Sequence, residues 1–262
     1  MFGASCFHNC KIADDEDGHR YLNSLKDTGV QHSGLMSDPN ILPTGKCLIL
    51  VTPDAKRTML TALNVSAAMN EQDIINNSFT SAKIFYMEGY MVTSDENYQA
   101  LNAAIDAAKT NKSIIKILSL SDPGIVEIFK DRFKTVEGNG LDFILCNGEE
   151  AMAFTETSTL DDAISVLKSK PYTSIITNGA DGCWIVDGHE ITKVPGVSIE
   201  PVDTNGAGDM FAGCFMFALL NGCNLQVSCE FANLGASRVV ETFGPRLDAK
   251  GYAEVRKKFK NN

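Results

Sequence analysis

The sequence predicts an α/β fold: a mainly parallel sheet with helices on both faces. Three observations carry this. Short apolar, β-rich runs alternate with amphipathic segments of ten or more residues. The stretch from Gly208 to Lys258 reads as largely helical, which supplies a covering layer. The 262 residues are 44% hydrophobic and 21% charged, ordinary globular composition with enough chain for a sizeable core.

The elements follow in order. Cys6 to Ile12 is a short apolar run that reads as a strand, and Glu16 to Thr28 as a helix ended by Gly29. Cys47 to Thr52 is β-rich, Pro53-Asp54-Ala55 signals a turn, and Arg57 to Leu63 returns as a hairpin strand. Residues 46–63 are therefore expected to project as a small flap. Lys83 to Met87 is the next strand, and Ser94 to Thr110 is a helix with a Ser-Asp-Glu start. Strand Ser113 to Leu118 leads to helix Pro123 to Phe133. Strand Asp142 to Cys146 leads to helical segments as far as Lys168. Ser174 to Thr177 is a strand, and Cys183 to Val186 and Ile191 to Val194 form a hairpin around Asp187-Gly188. No repeat and no linker rich in Pro, Gly or Ser divides the chain, so a single domain over 1–262 is expected. Ligands of such sheets bind beyond the carboxyl ends of the strands.

Composition excludes several functions. The formal net charge of −10 argues against phosphate contacts along a nucleic acid. No apolar run approaches the length of a membrane span, and Met1 to Cys10 has no basic start of the kind a signal peptide carries. Eight cysteines are scattered without a Cys-x-x-Cys pair, several inside apolar runs, which is the usage of reduced, buried thiols in a cytoplasmic protein. The four histidines form no metal-ligand spacing with them.

The stretch that carries chemistry is Pro201 to Asn221, PVDTNGAGDMFAGCFMFALLN. Gly206-Ala207-Gly208 allows a tight turn with exposed amides at the start of an apolar helix, where free N–H groups and the helix dipole favour an anion. Asp209 lies in the first turn. A carboxylate there repels an anion, but it makes sense if it takes a proton from a hydroxyl that attacks a phosphoryl group. The alternative is that Asp203 and Asp209 only cap a helix and the glycines only make a turn. No Lys-Ser/Thr follows, so this is not a Walker loop, and no third glycine completes a dinucleotide fingerprint.

Asp-Thr-x-Gly-Ala-Gly-Asp followed by Phe-x-x-Gly resembles the C-terminal signature of the PfkB carbohydrate kinases, which have the ribokinase-like fold. Asp14 to Gly18, with Leu25 and Gly29-Val30, resembles the family's early segment. Asn147-Gly148-Glu149-Glu150 is similar to its Asn-x-x-Glu, and Thr177 to Gly182 to its T-x-G-x-x-G turn. Asn233 to Gly244 is similar to the helix and loop over the nucleotide base. Thr44 to Met59 resembles the adenosine-kinase-like branch. The resemblance covers residues 3 to 258. The family's Gly-Gly-x-x-x-Asn sugar-binding segment has no counterpart here, so the first sheet strand and the lid strands are expected to be incomplete, with weak or absent activity for 1–262 alone.

The resemblance implies an ATP- and Mg²⁺-dependent kinase acting on a primary hydroxyl of a nucleoside or sugar, with adenosine as first candidate. Alternatives are ribose, fructose or 2-keto-3-deoxygluconate as acceptor, or a nucleotide-binding remnant without catalysis. It makes Asp209 the catalytic base and the amides of Gly206, Ala207 and Gly208 the anion hole. Asn147 and Glu150 would organise Mg²⁺ and the phosphates through water; their plain alternative is a helix-capping Asn with a first-turn Glu. Thr177, Gly179, Gly182 and Asn233 would line the nucleotide site. Asp203, Asn205 and Gly244 would serve a monovalent cation such as K⁺, with Asp248 on the same path. Arg57 is a candidate for meeting phosphate charge on the acceptor side, with a solvated turn arginine as alternative. Tyr86, Met87 and Tyr90 read first as core residues. A homodimer through the lid strands is the family's habit.

Overall fold

The computed structural model describes residues 2–52, 57–75 and 81–259. The first apolar run is not one strand but two, β1 (Phe7–His8) and β2 (Lys11–Ala13). Helix α1 (Glu16–Asp27) crosses over to β3 (Gln31–His32) and β4 (Leu35–Ser37), which pair in parallel with β1 and β2 as two small sheets. β3 and β4 escape a sequence reading because they are two and three residues long. Asp15 caps α1: one carboxylate oxygen accepts from Gly18 N at 2.8 Å and from Thr44 Oγ1 at 2.6 Å, and the other from Thr44 N at 2.9 Å. The Thr44 hydroxyl, then the two amides, hold this carboxyl down at about 2. Gly29, at φ +74°, ends the helix as expected.

β5 (Lys46–Val51) and β6 (Arg57–Ala62) form the expected hairpin, an antiparallel two-stranded sheet with Leu48 opposite Leu60. A short helix α2 (Glu71–Ile75) follows. The main sheet then begins with β7 (Ile84–Glu88), and helix α3 (Asp95–Ala108) starts on Ser94, whose side chain accepts from Asn97 N. After β8 (Ile115–Ser119) comes a correction: the single helix expected over 123–133 is two, α4 (Pro123–Ile128) and α5 (Lys130–Gly138). Phe129 leaves helical geometry between them, at φ −110° and ψ 26°. β9 (Phe143–Asn147), α6 (Gly148–Thr155), α7 (Leu160–Leu167) and β10 (Thr173–Thr177) complete the βα series. The hairpin β11 (Cys183–Asp187) and β12 (Glu190–Val194) precedes α8 (Ala207–Leu220), α9 (Leu225–Val240) and α10 (Ala249–Lys257).

The main sheet runs β12-β11-β10-β9-β8-β7. β7 to β10 are mutually parallel, while β11 and β12 run antiparallel at one side. The parallel strands therefore end at one edge. Side chains alternate between two core layers. Met87, Leu118, Ile144 and Ile176 pack on one face with Leu101, Phe133 and Leu167 from the helices. Ile117, Leu145 and Ile175 pack on the other with Phe211, Phe215 and Phe231 of α8 and α9. Both faces are dry and covered, which is why the strands read as continuous apolar runs.

Candidate active site

Strand alternation decides which polar groups meet α8. Ile84 and Tyr86 pack in the α8 layer, whereas Phe85 and Met87 pack in the opposite one. Glu88, the last residue of β7, therefore falls on the α8 side. The same count places Ser119 of β8 after Ile115 and Ile117, Asn147 of β9 after Phe143 and Leu145, and Thr177 of β10 after Ile175. One row of polar residues thus lines the carboxyl edge of the parallel strands, on the face that α8 covers.

Helix α8 starts differently from its neighbours. Ser94, Asp122, Asn147, Thr159, Asn224 and Asp248 each cap a helix with a side chain. α8 has Gly206 at that position, left-handed at φ +77°, and no side-chain cap. A Cβ on Gly206 would stand 2.4 Å from Pro245 O, so only glycine fits. Ala207 N donates to Thr204 O at 3.3 Å, which takes up one of the three expected anion-hole amides in a long bond. Gly208 is exposed with open space around it. The result is a helix N-terminus carrying roughly half a positive charge, left bare by its sequence.

Asp209 is exposed in the first turn. Its charge is felt by Tyr86 and Glu88. Burial and then the charge of Glu88 push the Tyr86 phenol well up; Ser119 opposes this with a hydrogen bond, and Asp209 and Glu150 add to it. Crowding by surrounding protein and then Asp209 raise the Glu88 carboxyl, although the side chain still reaches solvent. Glu88, Asp209 and Glu150 therefore converge around Tyr86. Met87 and partly buried Tyr86 are core residues as expected, and Tyr90 is 39% exposed.

Asn147 and Glu150 form a complete capping box on α6. Asn147 Oδ1 accepts from Glu150 N at 2.8 Å, and the Glu150 carboxylate accepts from Asn147 N at 3.0 Å and Asn147 Nδ2 at 2.7 Å. The plain alternative from the sequence is physically present, and Glu150, 6% exposed, is fixed in it beside the strand ends.

The turn after β10 closes with Asn178 N donating to Gly182 O at 2.8 Å. Gly179 and Gly182 are left-handed at φ +54° and φ +92°, and a Cβ on Gly182 would lie 2.2 Å from Val194 O. Thr177 Oγ1 donates to Cys146 O at 3.3 Å. Buried Asn233 spends its amide on Val194 O at 3.3 Å and Pro195 O at 3.1 Å, so it braces the loop behind this turn. Asp203, 1% exposed, accepts from Asn205 N at 2.8 Å and Gly244 N at 2.9 Å. It ties the loop before α8 to the loop before α10. The Arg57 side chain lies outside the described residues.

Sequence reading missed Glu88 and Ser119. The available signal was the period-two continuation of each strand from apolar residues into a polar one at the carboxyl edge.

Comparison with known proteins bears on the family and the fold. The model of the "pfkB family carbohydrate kinase" matches residues 2–250. The chain is 29% identical to the adenosine kinase of Saccharomyces cerevisiae, over 89% of this chain and 71% of that protein. It is also 29% identical to "Probable fructokinase-5" of Arabidopsis thaliana, over 80% of this chain, and spans 66% of that protein's length. The crystal structure of the adenosine kinase from Sinorhizobium meliloti superimposes with a TM-score of 0.92 at 27% identity, covering 98% of this chain and 78% of that one. The fold is therefore the ribokinase-like α/β fold foreseen from the motifs. Matched over nearly its whole length, the chain belongs to the pfkB family of carbohydrate kinases, ATP-dependent phosphotransferases with a hydroxyl as acceptor.

Proposed function

We propose that this chain transfers the γ-phosphoryl group of ATP to a primary hydroxyl of a nucleoside or sugar, with adenosine as first candidate. The observation that carries the reading is the bare, glycine-started N-terminus of α8, with Asp209 in its first turn, at the carboxyl edge of four parallel strands. Asp209 accepts the proton of the attacking hydroxyl as its oxygen bonds to phosphorus and the bond to the ADP oxygen breaks. The amides of Gly206 and Gly208 stabilise the charge on the transferring group. The named relatives, adenosine kinases and fructokinases among them, support a nucleoside or sugar as acceptor. Ribose, fructose and 2-keto-3-deoxygluconate are the alternatives.

The donor set suits ATP and Mg²⁺. The bare amides fit phosphate, and the carboxylates of Glu150 and Asp209 are the hard oxygen donors that Mg²⁺ takes, largely through its own water. Mg²⁺ would shield the phosphate charge there. Thr177, Gly179 and Gly182 would border the nucleotide, with Asn233 bracing the loop behind them. Asp203, Asn205 and Gly244 would serve K⁺, and the Asp203 carboxylate joins the three by accepting from the Asn205 and Gly244 amides. Three further elements belong to the proposal: one domain over 1–262, cytoplasmic residence and homodimerisation through the exposed leucines of the β5–β6 hairpin. Among the described residues no helix is long and apolar enough to cross a membrane.

The test is ADP release by the purified chain with Mg-ATP and K⁺ against those four acceptors. Turnover with one of them supports the reading, and none in a folded preparation that binds ATP replaces it with the nucleotide-binding remnant. Glu150→Gln separates the two roles of Glu150. Gln also completes a capping box, so stability should hold to within about 0.5 kcal/mol. The Mg²⁺ concentration for half-maximal rate should rise severalfold. Loss of stability with unchanged Mg²⁺ dependence would leave Glu150 as a cap only.

A further inference from the structure

Two of the cysteines meet behind the turn that follows β10. Cys183 opens β11 directly after Gly182, in register with Thr177 of β10 and Val194 of β12. Asn233 of α9 reaches this strand: its Nδ2 lies 3.8 Å from Cys183 Sγ, beside its bonds to Val194 O and Pro195 O. Cys229 stands four residues before Asn233, one helical turn away on the same face of α9. Its thiol donates a hydrogen bond to Cys183 Sγ. Both cysteines are buried in one core layer, at 1% and 0% exposure. The bond from Cys229 draws the Cys183 thiol below its ordinary value; burial opposes this, and the Asn233 amide adds to it. The same bond, and then burial, push the Cys229 thiol up.

Two thiols in contact are the arrangement that an oxidant closes into a disulfide. Burial keeps bulky disulfide reagents out, so the oxidant has to be small, and a hydroperoxide meets that need. Cys183 gives up its proton and its sulfur attacks one oxygen of hydrogen peroxide. The O–O bond breaks, a sulfenic acid forms on Cys183, and hydroxide leaves with the proton as water. The Cys229 sulfur then attacks the Cys183 sulfur. The S–O bond breaks, the S–S bond forms, and hydroxide leaves with the Cys229 proton as a second water. Two thiols lose two electrons and one peroxide gains them.

Joining the sulfurs draws α9 toward β11, and the surroundings have no room for it. A Cβ on Gly182 would lie 2.2 Å from Val194 O and 2.3 Å from Gly196 N, so the backbone is already in close contact there. Asn233 is tied to Val194 and Pro195 on the same side. The displacement therefore reaches the turn from Thr177 to Gly182. We infer that Cys183 and Cys229 form an oxidation-sensitive pair, which a hydroperoxide closes into a disulfide that weakens nucleotide binding. The inference rests on the kinase reading above, which puts the nucleotide against this turn.

The experiment uses the full chain with exposed Cys6 and Cys47 changed to serine, so that surface thiols take no part. Cys183→Ala and Cys229→Ala are added to it as controls, each checked for folding. Every protein is treated with hydrogen peroxide and then with dithiothreitol. Peptide mapping by mass spectrometry finds the bridge, and calorimetry reads Mg-ATP affinity at each stage. Peroxide should yield a Cys183–Cys229 peptide and weaken Mg-ATP binding at least about fivefold, and dithiothreitol should restore it. Either alanine control should keep its affinity within about twofold throughout. A folded chain whose two thiols stay reduced overturns the inference. So does a bridge that leaves Mg-ATP affinity unchanged, or an equal loss of affinity in the alanine controls, which would place the damage elsewhere. Each of these leaves the kinase reading standing. A reduced, folded chain that binds no Mg-ATP removes the kinase reading itself, and the inference falls with it.

Discussion

Asp209→Asn should lower turnover by about a hundredfold to ten-thousandfold while leaving ATP bound as well as before or better. The range is what a positioned general base typically contributes. Asn has the same shape and keeps the first-turn hydrogen-bonding pattern, but it cannot take the proton of the attacking hydroxyl. Binding should not suffer, because the substitution removes a negative charge from beside the bare N-terminus of α8. The same loss weakens the carboxylate–dipole interaction by about 0.3–1 kcal/mol, so the fold should hold. Two measurements decide the matter: ADP release under saturating acceptor, and nucleotide affinity by calorimetry. Retention of more than roughly a tenth of the wild-type rate would remove Asp209 as the base. An equal fall in nucleotide affinity would make it a structural residue of the helix start.

How far the sequence announced this site differs from residue to residue. Asp209 and the two glycines before it were legible because three constraints coincide on adjacent positions: a left-handed turn, a bare helix start and a first-turn carboxylate. Asn147 and Glu150 were legible as a pair but not as a role, since the same spacing builds the capping box that the structure contains. Asn233 came only through the resemblance, as a residue lining the nucleotide site, and the fold shows its amide turned to Val194 and Pro195 instead. Glu88 was invisible. Nothing local distinguishes it from a solvated strand-end glutamate, and its position opposite Asp209 depends on packing β7 beneath α8. The βα rhythm fixed the parallel sheet because each run buries both faces. The break at Phe129 was missed because its sequence continues the helical pattern across it.

Gly206→Ala should be among the single changes most damaging to the fold, and Gly208→Ala shows why. Gly206 sits at φ +77°, where a side chain costs about 1–3 kcal/mol by itself. The added Cβ would also meet Pro245 O at 2.4 Å and Pro245 Cα at 2.7 Å. Those are backbone atoms, and the adjoining Gly244 N is held at 2.9 Å by buried Asp203. The loop before α10 therefore cannot retreat without breaking that bond, or α8 must move away from it. A combined cost of about 3 kcal/mol or more follows, roughly 6–12 °C in melting temperature for a chain of this size. Gly208 is two residues further on, with nothing within 4 Å of a new Cβ. Alanine there suits the helix, so stability should be unchanged or slightly raised. Its methyl would nevertheless crowd the exposed amide that faces the transferring phosphoryl, so turnover should fall. Thermal melts of both variants, read beside ADP release, separate fold from function within one three-residue turn. A Gly206→Ala protein that melts with the wild type would mean that the approach of Pro245 is loose, and that the bare start of α8 is not held by this contact.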